Sequence, residues 1–187
     1  MDFLRQTIGN TLSWLRPKVN QDSQILSKAA YDPGSFEKDL QSRGYTRDVD
    51  LSNEDAQVYV KDGKAHVAYR GTSKFKDLAP DLDIALGKRK HRDFDSAIET
   101  ANRAKTKYGN AKLVGHSLGG TKAIHAAERL GLEAEVYNPG SSPFKPTVIN
   151  NQKITVYKNP FDIISSGIKG KSVRWWRNPY RMSVHGI

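Results

Sequence analysis

Residues 115–120 read Gly115-His116-Ser117-Leu118-Gly119-Gly120, a Gly-X-Ser-X-Gly pattern followed by a further glycine. A serine so placed can act as a nucleophile when a strand enters the pattern and a helix leaves it, because the sharp turn then presents its hydroxyl. Both flanks fit. Ala111, Leu113 and Val114 make a short apolar run after Gly109-Asn110, and Thr121 to Leu130 is rich in helix formers and stops at Gly131. The glycines leave room for a tight turn and for close helix–strand packing. The chemistry implied is acyl transfer through Ser117, with the hydroxyl expected to be exposed.

A serine hydroxyl needs a base, usually histidine, oriented by a carboxylate. The chain has five histidines. His116 lies within the turn, His125 lies in the following helix and His66 belongs to an earlier hairpin, which leaves His91 and His185. A nucleophile elbow of this type is followed in chain order by the acid and then the histidine. Asp162 is the only aspartate after Ser117, and it follows the run Ile154-Thr155-Val156-Tyr157 through the turn Asn159-Pro160. His185 is the only histidine after Asp162. Taken singly, Asp162 reads as a helix cap and His185 as a solvated tail residue. One topology accounts for all three positions.

The elements that must hold these residues alternate. Gln57 to Val60 and Ala65 to Arg70 are extended runs joined across Asp62-Gly63, a strong hairpin signal. Phe94, Ala97, Ile98, Ala101, Ala104 and Tyr108 mark a helix ending at Gly109, and the strand into Ser117 follows. Glu133 to Tyr137 and Lys153 to Tyr157 read as further strands. Upstream, Ile25 to Ala30 is expected to be helical, followed by a turn at Asp32-Pro33-Gly34. The pattern predicts an α/β fold, a mostly parallel central sheet with helices on both faces. Leu4, Ile8, Leu12, Leu15 and Val19 form an apolar stripe at helical spacing, so residues 1–20 are expected to begin with an amphipathic helix, stopped or kinked near Pro17. That stripe suits either the core or a membrane surface.

On these residues the chain resembles the class 3 lipases, a branch of the α/β-hydrolases. The resemblance runs from about Val58 to His185. It rests on Tyr69-Arg70-Gly71-Thr72, Lys76-Asp77-Leu78, Asp81-Leu82, the Gly-His-Ser-Leu-Gly-Gly run, Asn159-Pro160-Phe161-Asp162-Ile163-Ile164 and the late His185. It implies an α/β-hydrolase fold and an oxyanion hole formed at Thr72 and by the backbone N–H of Leu118. It also implies a lid over about residues 74–82, with Phe75, Leu78 and Leu82 at the interface. Two features depart from the family pattern: His91-Arg92-Asp93-Phe94 stands where His-X-Gly-Phe is common, and the interval between Asp162 and His185 is short.

Composition bounds the rest. A chain of 187 residues fits one domain, expected here over 1–187, and with hydrophobic residues at 37% it can bury a core. Thirty Lys and Arg against twenty Asp and Glu give a formal charge of +10, which favours anionic partners. There is no cysteine, so disulfides, thiol nucleophiles and Cys-type zinc sites are excluded. Asp77, Asp81 and Asp83 lack the Gly and Glu of a calcium loop, and neither a metal nor an organic cofactor is expected. No apolar stretch approaches the ~18 residues of a membrane span, and Met1 to Val19 lacks the core of a signal peptide. The expectation is a soluble protein, of a kind that would suit a virus or phage breaching a membrane.

The lipase resemblance implies long-chain acyl esters, of phospholipids or glycerides. Arg174-Trp175-Trp176-Arg177, with Trp175 and Trp176 between cations, suits the headgroup zone of an anionic membrane, and equally a core tryptophan with solvated arginines. A soluble carboxylesterase acting on short esters is the nearest alternative. A basic nucleic-acid- or membrane-binding module without catalysis would use the same charge, but leaves the order of Ser117, Asp162 and His185 unexplained.

Overall fold

Asn20 opens the first helix of the computed structural model, α1 (Gln21–Ala29), by accepting the Ser23 N–H at 3.2 Å on its side-chain oxygen. Asp32 does the same for α2 (Pro33–Ser42), accepting the Ser35 N–H at 3.3 Å. The turn predicted at Asp32-Pro33-Gly34 is thus a helix start. Proline is pre-organised for the first helical position, where its missing N–H costs nothing. The structure describes residues 19–71, 92–141, 147–159, 162, 165–170 and 173–175. The predicted N-terminal helix before Pro17 and the predicted lid at 74–82 lie outside the described residues.

Three antiparallel strands follow: β1 (Thr46–Arg47), β2 (Ala56–Lys61) and β3 (Lys64–Tyr69). Asp62 and Gly63 close the β2–β3 hairpin with positive φ at both positions, 50° and 72°, the primed turn that matches the twist of paired strands. Then come α3 (Arg92–Tyr108), β4 (Ala111–His116), α4 (Leu118–Leu130) and β5 (Glu133–Tyr137). Gly131, with φ 66°, ends α4 in the left-handed conformation that glycine adopts without penalty. The last strands are β6 (Thr147–Ile149), β7 (Ile154–Lys158), β8 (Ile168–Gly170) and β9 (Val173–Trp175).

The main sheet has seven strands in the order β1-β2-β3-β4-β5-β7-β9, and β6 pairs with β8 apart from it. From β3 to β9 every neighbouring pair is parallel, so all these strands end at one edge. Successive side chains alternate between the two faces. Val67, Leu113, Val136 and Val156 face one way and pack on Ala97, Ala101 and Ala104 of α3 and on Ala123, Ile124 and Ala127 of α4. Tyr59, Ala68 and Val114 face the other way and pack on Leu26 and Ala29 of α1 and Leu40 of α2. Each fully buried aliphatic side chain contributes about 1.5–3 kcal/mol. The α/β arrangement expected from the sequence, helices on both faces of a mostly parallel sheet, is the one observed.

One strand departs from a simple apolar pattern. Glu133 and Glu135 lie on the same face of β5, and Glu135 is buried. Lys112 of β4 reaches Glu135 at 2.7 Å and Glu133 at 3.3 Å. Glu135 also accepts hydrogen bonds from the Ser23 hydroxyl at 3.0 Å, the Tyr137 hydroxyl at 2.9 Å and the Asn20 N–H at 3.3 Å. A buried charge is tolerated when it is paired and its lone pairs are satisfied, and this network also fastens the start of α1 to the sheet. Val19, the last residue of the predicted N-terminal stripe, packs against the stacked rings of Tyr137 and Tyr157. Among the described residues no helix is long and apolar enough to cross a membrane.

Candidate active site

β4 delivers the chain to Ser117, and α4 begins at the next residue. Between them Ser117 takes φ 56° and ψ −130°, a region that costs a non-glycine residue about 1–3 kcal/mol unless its surroundings enforce it. Backbone bonds enforce it here. The Ser117 N–H donates to the Tyr137 carbonyl at 3.1 Å, and the Ser117 carbonyl accepts the N–H groups of Thr121 and Gly140, each at 3.1 Å.

The glycines of the motif are required by contact. A Cβ on Gly119 would run into the backbone carbonyl of Tyr69, and one on Gly115 into the backbone of Gly119. At Gly120 a Cβ would stand 3.1 Å from Cβ of Pro139. The helix therefore approaches the ends of β3 and β4 more closely than any side chain would permit.

The sequence suggested an exposed hydroxyl, but Ser117 is 0% exposed. The buried segment 138–141 packs on the turn, joined to it by the Gly140 N–H. Ser117 Oγ has no hydrogen-bond partner among the described residues. A buried hydroxyl left without a partner costs about 1–3 kcal/mol, so its presence on a strained turn calls for an explanation beyond stability.

Asp162 stands beyond the end of β7, two strands from β4 with β5 between them. A relay of bonds along the sheet edge connects the two positions. Ser117 donates to the Tyr137 carbonyl, Asn138 N–H donates to the Tyr157 carbonyl at 2.8 Å, and Asn159 N–H donates to Oδ1 of Asn138 at 2.9 Å. Asp162 N–H then donates to the Asn159 carbonyl at 3.2 Å. Asp162 is buried, and its carbonyl accepts the Ser165 hydroxyl at 3.5 Å. Close by, the ammonium of Lys158 donates to the Ile168 carbonyl at 3.3 Å. Burial pulls the Lys158 pKa below its ordinary value, and the Asp162 carboxylate opposes that shift.

Leu118 opens α4, so its N–H is one of the first-turn donors that have no partner within the helix. Thr72, the other predicted oxyanion residue, lies outside the described residues, as do His185, Phe75, Leu78, Leu82 and Trp176. Trp175 ends β9, where it pairs with Lys158 of β7, so the chain leaves β9 at the sheet edge that carries Ser117 and Asp162.

The remaining described histidines have other surroundings. His125 is exposed and packs on the Phe94 ring at 5.0 Å between centroids. His66 is pulled down to about 4 by burial and by Lys112 and Lys64. His116 meets Tyr31, whose hydroxyl lies 3.3 Å from Nδ1 and 3.4 Å from the carbonyl oxygen of His116. Sequence reasoning missed Tyr31, which follows α1 and belongs to no motif. Its partner is 85 residues away in the chain, so no local spacing could reveal it.

A family model described as phospholipase-like, Tle-like phospholipase domain, matches residues 19–163. The matched stretch takes in Tyr31, Thr72, Ser117 and Asp162, and His185 follows it. No curated protein matches the chain.

Proposed function

Because the chain belongs to the Tle-like phospholipase domain family, whose theme is lipid-ester hydrolysis, we propose that it cleaves an acyl ester of a phospholipid at a membrane interface, with Ser117 as nucleophile. The observation that carries this reading is Ser117 itself, a non-glycine residue at φ 56° between a strand and a helix, with a buried hydroxyl that no described residue engages. Strain, and a buried hydroxyl with no partner among the described residues, are both costs, and they fall on the residue type that acyl transfer requires.

The chemistry follows. Ser117 Oγ attacks the ester carbonyl carbon while His185 takes the hydroxyl proton, and Asp162 accepts the other imidazole N–H and stabilises the cation that forms. The carbonyl oxygen becomes an oxyanion that meets the Leu118 N–H and donors at Thr72. As the carbon–oxygen bond to the leaving alcohol breaks, His185 returns the proton to that oxygen and the acyl group stays on Ser117. Water then attacks the acyl-enzyme with His185 again as base. The fatty acid leaves and Ser117 recovers its proton. Asp162 at the end of β7 and the exit of β9 toward the same edge support this assignment of acid and base.

A compact member of the class 3 lipase type, with phospholipase A1-like action, one domain over 1–187 and a lid at 74–82, is the form of the reading that the motifs favour. The formal charge of +10 and the Arg174-Trp175-Trp176-Arg177 cluster, with Arg174 exposed, favour an anionic bilayer as the working surface. Release of fatty acid from vesicles of phosphatidylcholine with phosphatidylglycerol is compared with release from triglyceride emulsions and p-nitrophenyl butyrate, for the wild type and Ser117→Ala. Vesicle hydrolysis lost in the variant is the expected result. Preference for triglyceride or for the short ester would reassign the substrate, and activity that survives Ser117→Ala would overturn the mechanism.

A further inference from the structure

The last pairing of the β3–β4 ladder is Tyr69 with Gly115. In sequence, the proposed oxyanion donors follow, Thr72 after one strand and Leu118 after the other, and among the described residues the ladder has no further rung. Tyr31 stands at that point. Its hydroxyl packs directly against Gly71 and lies against the carbonyl oxygen and Nδ1 of His116, at 3.4 and 3.3 Å. Gly71 precedes Thr72, and His116 precedes Ser117.

The fit leaves no room for a side chain. A Cβ on Gly71 would collide with the Tyr31 hydroxyl and stand 2.9 Å from the His116 carbonyl oxygen. Tyr31 is itself well anchored. Its N–H donates to the Lys28 carbonyl at 2.9 Å, and α1 is held to the sheet by buried Leu26, Ala29 and Ala30 and by the bond from Asn20 to Glu135. Burial pushes the phenol up to about 12. It therefore stays neutral and keeps its one O–H donor at physiological pH.

We propose that Tyr31 is a positioning residue for acyl transfer, joining the strand end before Thr72 to the residue before Ser117 and fixing the spacing of the two oxyanion donors. The inference rests on the Ser117 reading given above. An oxyanion hole works only when its donors already sit where charge will develop. Displacement of a catalytic group by ~1 Å costs on the order of 100-fold in rate.

The test is steady-state kinetics on p-nitrophenyl butyrate for the wild type, Tyr31→Phe, Thr72→Ala and the double variant, at a temperature where each is folded by circular dichroism. Tyr31→Phe is expected to lower kcat about 10- to 100-fold with KM within about twofold. In the Thr72→Ala background the same change should cost less than about threefold, because the group it positions is gone. Gly71→Ala, which displaces the same hydroxyl, should reproduce the kcat loss and carries the test if Tyr31→Phe does not fold. A kcat within about twofold of wild type in folded Tyr31→Phe, or an undiminished cost in the Thr72→Ala background, would overturn the proposal. Failure of the Ser117 reading shows separately, as esterase activity that persists in Ser117→Ala.

Discussion

Asn138 Oδ1 accepts the Asn159 N–H at 2.9 Å, binding the end of β5 to the segment that leads to Asp162. Asn138 is fully buried and holds φ 41°, a conformation that asparagine tolerates better than most residues. Asn138→Ala strands the Asn159 N–H and adds backbone strain, so it should destabilise the protein by about 2–3 kcal/mol. Asn138→Gly relieves the strain and keeps only the hydrogen-bond loss, so it should cost less. Urea unfolding of the two variants separates these contributions, and equal stability would show that the φ angle contributes nothing.

Gly119→Ala should be among the most damaging small changes in the chain. The added Cβ meets the Tyr69 backbone, which cannot move without disturbing the β3–β4 pairing. A loss of about 3 kcal/mol or more is expected. Gly131→Ala is the control: nothing lies within 4 Å of its Cβ position and only the left-handed φ of 66° is unfavourable, a cost of about 1 kcal/mol. Thermal melts of the pair would contradict the packing account if Gly131→Ala were the worse of the two.

Much of this architecture is legible where the signal is local. Asp62-Gly63 encodes its hairpin because both residues accept positive φ, and Gly131 ends α4 for the same reason. The Ser117 turn is legible because its glycines answer a steric demand that any sequence would face there. Other parts depend on partners distant in the chain. Asp32-Pro33-Gly34 carries turn and helix-start signals at once, and the Asp32 side chain, by capping Ser35, decides for the helix. Glu135 is acceptable in a buried strand only because Lys112, Ser23 and Tyr137 converge on it. β1, β6, β8 and β9 are two or three residues long, too short for alternation to show.

Stability should fall as the medium is acidified from pH 6.5 to pH 4, in part through His66. Its folded pKa of about 4 lies below the ordinary 6.5 because the ring is half-buried, its Nδ1 without a partner among the described residues, and is surrounded by Lys112, Lys64 and Lys61, against which Glu133 only partly compensates. The unfolded chain therefore takes up a proton in that window while the folded protein does not. Stability is full above the unfolded pKa, is lost progressively as pH falls toward 4 and changes no further below it. His66→Phe keeps a ring against Tyr45 and should reduce the loss between pH 7 and pH 4 by on the order of 2 kcal/mol. Denaturant titrations at the two pH values measure it, and an unchanged difference would rule His66 out as the acid-sensitive group.

The proposed nucleophile is tested most directly by covalent labelling with a fluorophosphonate probe, which reacts with a serine only when base and oxyanion donors are assembled around it. Wild-type protein and Ser117→Ala are treated side by side, and the adduct is located by mass spectrometry. The account predicts one adduct, on the peptide that contains Ser117, and none in the variant. Unlabelled wild-type protein, or labelling that persists in Ser117→Ala, would contradict it.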